Sequence, residues 1–332
     1  MTTPHAASIP DPRPSPDVPA DPIFILSPPL SLAAVVAGML GQHPQMYGLP
    51  ETHLLSFETL AEWWEGCSLA SFNMAHGLLR AVAQIYFGEQ TEISVQVAGA
   101  WLRRRLPFTT GYLLEIIAEK VRPRMIVEKS PSIVFHIGSM QRAQRMFPQA
   151  RFIHLLQHPH AHGRAVVAAI MDVTAHQGQI PQWLRQLACF SASGADEHSQ
   201  EQHGVDPQQA WYALNKTICD FLDTVPETQK LRVRGEDLVS GRDATLCAIG
   251  EWLGLRTGDE AIEAMKHPER SPYACFGPPS ARYGDNALFL RSPVLPPPPA
   301  EPDDLDAPSR WREDGEGLSS KVIELARQFG YD

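Results

Sequence analysis

The sequence is poor in the features that mark an oxidised, secreted or membrane-embedded protein. It has five cysteines in 332 residues, and none of them stands in a Cys-x-x-Cys pair. Neither a disulfide framework nor a zinc knuckle is therefore expected. No stretch reaches the roughly 20 apolar residues of a membrane span, and the first residues lack the basic start and apolar run of a secretory signal. These absences predict a soluble protein in the reducing cytoplasm.

Concentrated positive charge is missing too. The formal net charge is −10, and the 28 lysines and arginines are scattered along the chain. Proteins that bind nucleic acid or anionic membranes gather their positive charge into patches, so neither partner is expected. The chain also contains no Gly-x-Ser-x-Gly elbow, no Walker loop and no Gly-x-Gly-x-x-Gly motif. We expect a small-molecule or carrier-tethered substrate.

Proline-rich stretches divide the chain. Residues 1–21 hold six prolines and almost no large apolar side chains, which predicts a disordered tail. Four consecutive prolines followed by acidic residues predict an extended linker over 296–308. Residues 22–295 between them are expected to form one α/β domain, with a lid or insertion at about 171–208. Residues 309–332 predict a C-terminal helix that packs on the core.

Short apolar runs alternate with helical patterns. Four runs have the length and composition of buried strands: 22–26, 125–128, 151–156 and 231–234. Apolar spacing predicts helices at 31–40, 54–64, 97–121, 133–146, 161–170 and 211–225. Because the first and third strands are each followed by a turn and a helix, we predict an α/β fold with a central parallel sheet flanked by helices.

Several separate blocks of residues carry a family resemblance. They are Pro22 to Pro29, His43-Pro44, Leu49 to His53, Glu128 to Pro131, Phe147 to His154, Glu236-Asp237-Leu238, Trp252 to Leu255, Gly277-Pro278 and Gly284 to Asn286. Together they resemble the sulfotransferase family that uses 3′-phosphoadenosine 5′-phosphosulfate, over most of residues 22–331. The resemblance implies a P-loop-like sulfotransferase fold and a phosphosulfate donor as cofactor, and it is compatible with a homodimer.

The resemblance also implies which loops would hold the donor. In the family the first loop reads approximately Pro-Arg-Ser-Gly-Ser-Thr, whereas residues 29–34 read Pro-Leu-Ser-Leu-Ala-Ala and retain Ser31. The Arg and Ser that contact the nucleotide phosphate correspond to Gln157 and Ala165, and an aromatic residue that packs on adenine corresponds to Gly235. Ser31 and Gln157 are therefore the cofactor-binding candidates. Since phosphates need cationic partners, ordinary use of the donor is expected to be lost.

The acceptor side of the implied cleft keeps its chemistry. Glu51 and His53 stand where the resemblance places a base for the acceptor hydroxyl, and Lys129 follows a predicted strand. A carboxylate, an imidazole and an ammonium supply a proton acceptor and a group that stabilises negative charge. Each has a structural alternative: Glu51 as a helix cap, His53 on a helix surface, and Lys129 as the ion-pair partner of Glu128 or another nearby carboxylate.

Four histidines, His154, His158, His160 and His162, are spaced by two along the chain. Imidazoles bind several transition metals, and protonated imidazoles bind anions, so either kind of site is conceivable for such a run. His154 lies in a predicted strand, Pro159 bends the chain, and no cysteine or carboxylate motif completes a ligand set. We expect no metal site here.

Three functional hypotheses follow. The first is an enzyme that performs acid/base chemistry, such as elimination, cyclisation, hydrolysis or acyl transfer, on a hydroxylated or acyl metabolite of the kind found in secondary metabolism. The second is a genuine sulfotransferase whose cofactor site has been rebuilt around Arg164, Arg232 or Arg234. The third is a non-catalytic binding protein that retains the shell of the fold.

Overall fold

The computed structural model describes residues 21–70, 72–175, 187, 206–297, 304–309, 311–312 and 315–332. The predicted tail, apart from its last residue, and most of the predicted insertion lie outside the described residues. Among the helices that are described, none has the length and apolar character needed to cross a membrane.

Within the described residues, five parallel strands form one sheet. The strands are β1 (Ile23–Leu26), β2 (Met46–Gly48), β3 (Met125–Glu128), β4 (Arg151–Leu156) and β5 (Lys230–Arg234). Their order in the sheet is β2-β3-β1-β4-β5, and every neighbouring pair is parallel. The predicted parallel sheet and its four predicted strands are confirmed, whereas β2 was missed.

The strands are apolar because both faces of the sheet are covered. In β1, Phe24 and Leu26 enter one hydrophobic cluster, while Ile23 and Ile25 enter the cluster on the opposite face. Successive side chains of a strand point to opposite faces, so a strand covered on both sides needs apolar residues throughout. The apolar run that predicted β1 therefore reflects burial on both faces of the sheet.

Helices cover both faces of the sheet. They are α1 (Ala33–Leu40), α2 (Leu60–Ala70), α3 (His76–Phe87), α4 (Glu92–Arg103), α5 (Thr110–Val121), α6 (Ile137–Met146), α7 (Pro159–Ala175), α8 (Pro207–Leu222), α9 (Gly235–Ser240), α10 (Arg242–Trp252), α11 (Asp259–Met265), α12 (Ala287–Arg291) and α13 (Ser320–Gln328). Short 3-10 helices occur at Leu54–Ser56 and Pro131–Phe135, among other places. Helix α13 packs through Val322 and Leu325 in a cluster with Trp211 of α8.

Three predicted helices were wrong in their extent. The one predicted at 133–146 is a 3-10 turn, Pro131–Phe135, followed by α6, because His136 is extended between them. The helix predicted at 97–121 is two helices, because the segment between α4 and α5 contains Pro107, and the Thr109 side chain accepts a hydrogen bond from Tyr112 N (3.2 Å) to begin α5. The helix predicted at 54–64 is a 3-10 turn followed by α2, because Phe57 is extended and the Thr59 hydroxyl caps Glu62 N at 3.2 Å.

The strand order places two loops beside each other at the carboxyl edge of the sheet. From β1 the chain passes through α1 to β2 and β3 on one side, and α6 then carries it to β4 on the other side of β1. The carboxyl ends of β1 and β4 thus form the switch point where open α/β sheets bind ligands. The loop after β3 opens on the same edge and carries Lys129.

Candidate active site

Lys129 lies at the centre of a buried charged cluster beyond the end of β3. Its Nζ donates to Glu51 Oε1 at 3.0 Å and to Asp285 Oδ1 at 2.5 Å. The Lys129 side chain is only 2% exposed and that of Asp285 3% exposed. Two carboxylates therefore flank a single buried ammonium. Of the two ion-pair partners considered for Lys129 in the sequence, the structure shows other nearby carboxylates and not the adjacent Glu128.

Glu51 reaches this cluster from the segment that follows β2. Its backbone N–H donates to Gly284 O at 2.8 Å, which ties the segment to the loop that holds Asp285. A Cβ at Gly77, in α3, would lie 1.8 Å from the Glu51 carbonyl oxygen, so only glycine allows α3 to approach this closely. Glu51 caps no helix, because the 3-10 turn that follows starts after His53.

His53 sits beside Glu51 in a constrained backbone conformation. Its φ is 53°, in the left-handed region that few residues other than glycine adopt. Its ring Nδ1 lies 2.8 Å from Ser132 Oγ, and its Nε2 lies 3.6 Å from Glu51 Oε2. The backbone N–H of His53 donates to Ser130 Oγ at 2.8 Å. These contacts orient the imidazole toward the second carboxylate oxygen of Glu51.

A third carboxylate, that of the buried Glu128, joins the two loops. Its Oε1 accepts from the Thr52 hydroxyl at 3.0 Å and from the Ser130 hydroxyl, and its Oε2 accepts from Ser130 N at 3.1 Å. Thr52 belongs to the segment after β2 and Ser130 to the loop after β3. Because buried polar groups are costly unless they are paired, this network holds Glu51, His53 and Lys129 in one arrangement.

The charges in the cluster are unequal. Burial raises the pKa of Asp285 to about 6, although the Lys129 ammonium pulls it down and Glu51 adds to the rise. Burial would also raise the pKa of Glu51, but Lys129 and His53 outweigh it and lower the pKa to about 2. Burial opposes the charge of Lys129, yet Asp285 and Glu51 raise its pKa. Glu51 is therefore the permanent anion, and Asp285 exchanges a proton in mildly acidic solution.

The three residues predicted from the sequence, Glu51, His53 and Lys129, thus come together, and Asp285 is the residue that was missed. Asp285 stands 156 positions from Lys129. It lies within the block Gly284 to Asn286 that contributed to the family resemblance. No periodicity or spacing connects a single aspartate in a loop with a lysine so far away, so the block was the only available signal.

The two cofactor candidates lie at the switch point. Ser31 follows β1 and Gln157 follows β4, and neither Ser31 Oγ nor Gln157 Oε1 has a hydrogen-bond partner among the described residues. The arginines of β5 are engaged elsewhere: Arg232 lies over the Phe329 ring at 4.7 Å, and Arg234 Nη2 donates to Asp237 Oδ1 at 2.9 Å.

The place expected for adenine is filled by the chain itself. A Cβ at Gly235 would lie 2.8 Å from Leu32 Cδ1, so the Leu32 side chain lies directly against Gly235. The phosphates of the donor would need several N–H donors and cations, and leucine, glutamine and alanine replace the residues that would supply them. The residues present do not fit the phosphosulfate donor.

The histidines next to this place are structural. His154 Nε2 lies 2.9 Å from Asn215 Oδ1, and His162 Nε2 lies 2.9 Å from Pro29 O. Burial lowers the pKa of His154 to about 3 and that of His162 to about 4, so both rings are neutral near pH 7. The rings of His158 and His160 stack with centroids 5.5 Å apart. In the described part of the chain, no group of three or more potential ligands is arranged to hold a metal ion.

A parallel α/β sheet with a polar cluster at its carboxyl edge places the protein in the class of open α/β folds that bind ligands at that edge. The chain belongs to the Sulfotransferase family, whose sequence model matches residues 22–259, well over half of the chain. No curated relative matches the sequence.

Two solved structures are similar over nearly the whole chain. The sulfotransferase domain from the Synechococcus PCC 7002 olefin synthase has 25% sequence identity and a TM-score of 0.67, and the match covers 96% of this chain and 98% of that one. The sulfotransferase domain from the curacin biosynthetic pathway has 20% identity and a TM-score of 0.65, with 95% and 99% covered. The predicted P-loop-like sulfotransferase fold is confirmed.

Proposed function

We propose that this protein is a sulfotransferase-fold enzyme that performs acid/base chemistry at Glu51, His53 and Lys129 and has lost ordinary use of the sulfuryl donor. The observation that carries the proposal is the cluster in which Lys129 joins Glu51 and Asp285 while His53 stands 3.6 Å from the outer carboxylate oxygen. A base, an anion beside it and a buried cation are the minimum for proton transfer at a substrate.

The reacting face consists of Glu51 and His53. Their side chains are 18% and 9% exposed, whereas Lys129 and Asp285 lie beneath them. In the proposed roles, His53 Nε2 takes a proton from a substrate hydroxyl or an activated C–H group. Glu51 Oε2 lies 3.6 Å from the same nitrogen and stabilises the imidazolium that forms, while Ser132 Oγ orients the ring through Nδ1.

Lys129 has two proposed roles. Its charge keeps Glu51 anionic against the cost of burial, which is the reason for the low pKa of that carboxyl. An ammonium has three N–H donors, and Glu51 and Asp285 accept from it. From beneath Glu51 and His53, its positive charge would also stabilise negative charge that develops on a substrate oxygen, where preorganised electrostatics contribute most.

The proposed substrate is a hydroxylated or acyl metabolite, free or tethered to a carrier. Two observations support this class. The most informative structural relatives come from an olefin synthase and a biosynthetic pathway. The loop after β1 is apolar here, with Leu30, Leu32 and Ala33 in place of phosphate-binding groups. Elimination, cyclisation, hydrolysis and acyl transfer all begin with the proton transfer that the cluster can perform.

The test is turnover of a panel of hydroxyacyl thioesters and hydroxy acids without added nucleotide, followed by mass spectrometry. Glu51→Gln should lower the rate by about 10²-fold or more, since general acid/base catalysis contributes 10²–10⁴-fold. Glu115→Gln is the matched control, because Glu115 is an exposed glutamate of α5. Equal rates for the wild type and Glu51→Gln would contradict the proposal.

A second candidate is a genuine sulfotransferase with a rebuilt cofactor site. The buried oxygens of Ser31 and Gln157, which lack partners among the described residues, favour it because such atoms are usually satisfied by a ligand or water. In the same assay, transfer of label from a radioactive phosphosulfate donor to a hydroxyl acceptor would support this candidate. Turnover that proceeds equally well without the donor would exclude it.

A further inference from the structure

The loops that would have to open around a nucleotide are bonded to one another. His162, in α7, holds the β1 loop through the carbonyl oxygen of Pro29. His158 N, in the β4 loop, donates to Glu236 Oε1 at 2.8 Å, which joins that loop to α9. Leu32 completes the set by packing on Gly235. The carboxyl ends of β1, β4 and β5 are therefore linked by contacts within the protein.

Aromatic side chains from the end of the chain cover these loops. The described residues from 304 onward are named here the C-terminal segment. The Tyr331 hydroxyl donates to Glu236 Oε2 at 2.9 Å, and its ring meets the ring of His158 edge to face at 5.1 Å. The Trp311 ring lies 5.4 Å from that of His160. A Cβ at Gly163 would lie 2.5 Å from the same indole, so Trp311 lies directly on α7.

The C-terminal segment is also anchored to β5. Arg234 Nη1 donates to Gly330 O at 2.7 Å, and Arg232 covers the Phe329 ring. Phe329 and Tyr331 are 7% and 6% exposed, so both rings are part of the core. Two of the three arginines that could replace the lost phosphate ligands, Arg232 and Arg234, thus bind the C-terminal segment.

Two polar groups in this place, His162 Nδ1 and the Glu236 carboxylate, have the wrong character for a phosphate. A carbonyl oxygen only accepts hydrogen bonds, so the His162 Nε2 that contacts Pro29 O carries the proton and Nδ1 is an acceptor. Both oxygens of Glu236 are bonded to the protein, and its side chain adds negative charge. An incoming phosphate would meet the acceptor nitrogen of His162 and the Glu236 carboxylate, which is unfavourable in a buried place.

We propose that the C-terminal segment permanently occupies the crevice that holds the nucleotide in the family, so that this chain binds no 3′-phosphoadenosine nucleotide. The segment takes the structural place of the nucleotide by linking the β4 loop, α7, α9 and β5. The proposal stands on the loops around Trp311 and Tyr331 and does not involve the cluster around Lys129.

The first test is calorimetric titration of the intact wild-type chain with 3′-phosphoadenosine 5′-phosphate up to about 1 mM. A dissociation constant of about 1 mM corresponds to a binding free energy of about −4.1 kcal/mol, and binding weaker than this would not be detected. A sulfotransferase that depends on the nucleotide serves as the positive control for the titrant. We expect no saturable heat. A micromolar dissociation constant would overturn the proposal.

Variants of Tyr331 test whether the C-terminal segment occupies the crevice permanently or only covers a site that a nucleotide can still enter. Tyr331→Ala should lower the melting temperature by on the order of 5 °C, because a buried ring is lost. Tyr112→Ala, at a tyrosine that is 51% exposed, is the matched control and should leave it nearly unchanged. Tyr331→Phe keeps the ring, loses the bond to Glu236 and should remain folded. None of these variants should bind the nucleotide, and micromolar binding by either Tyr331 variant would overturn the proposal.

The outcome is independent of the proposed acid/base function. If the chain binds the nucleotide but turns over its substrate without it, only the present inference is contradicted. If the wild type and Glu51→Gln turn over at equal rates and no nucleotide binds, only the proposed function is contradicted.

Discussion

Replacement of Lys129 by methionine tests the reasoning about the buried cluster most directly. Methionine has a similar length and no charge, so Lys129→Met would leave Glu51 and Asp285 facing each other without a cation. In the wild type the ammonium donates to both carboxylates, at 3.0 and 2.5 Å. We expect a loss of stability that depends strongly on pH.

The magnitude follows from burial. Removal of one partner from a buried ion pair typically costs about 3–5 kcal/mol, because the remaining charge stays unpaired. The two carboxylates can avoid this cost by taking up protons, so their pKa values in the folded variant rise above the unfolded values. A raised carboxyl pKa contributes stability at low pH that is lost as the pH rises, at about 1.4 kcal/mol per pH unit and proton. Lys129→Met should therefore cost several kcal/mol at pH 8 and clearly less at pH 5.

The assay is urea unfolding followed by tryptophan fluorescence at both pH values. Lys216→Met is the matched control, because Lys216 also forms an ion pair, with Asp220, but its side chain is 51% exposed. A surface pair of this kind contributes about 0.3–0.5 kcal/mol. A loss for Lys129→Met below about 1 kcal/mol, or one of equal size at pH 5 and pH 8, would refute the account of the cluster.

Two further predictions concern its neighbours. Because the pKa of Asp285 is raised from 3.8 to about 6, its contribution to stability is present below pH 3.8 and is lost as the pH rises through 6. The melting temperature of the wild type should therefore fall as the pH rises from 4 to 6.5, and Asp285→Asn should make this fall smaller. If the variant shows the same fall as the wild type, groups other than Asp285 cause it. Gly77→Ala should lower the melting temperature and the turnover, because the new methyl group would lie 1.8 Å from Glu51 O. Gly138→Ala, with open space around its Cβ, is its control, and equal effects of the two substitutions would contradict the close packing.

The fold was largely readable from the sequence because the sheet is covered on both sides. Every residue of a central strand is then buried, so an apolar run such as Ile23 to Leu26 indicates a strand directly. Strand β2 has no such apolar run, since it has three residues and one of them is glycine. The break between α4 and α5 was marked by Pro107, but apolar spacing continues across it and suggested one long helix.

The candidate site was readable only where residues stand close together or belong to a family block. Glu51 and His53 are two positions apart, and Lys129 follows a strand, so local patterns indicated all three. Asp285 joins them through tertiary folding alone, and the unequal charges of the two carboxylates depend on the contact that Glu51, but not Asp285, makes with His53. The cover formed by Trp311 and Tyr331 likewise has no signature in the local sequence.

The backbone of His53 has a consequence for protein engineering. A residue other than glycine in the left-handed region costs of order 1 kcal/mol, and at φ 53° glycine would adopt the same conformation without this cost. The substitution His53→Gly would also delete a buried ring and its bond to Ser132 Oγ, which costs more than the conformation does. Selection for heat resistance alone would therefore keep the imidazole that faces Glu51, and stability and the proposed chemistry favour the same residue at this position.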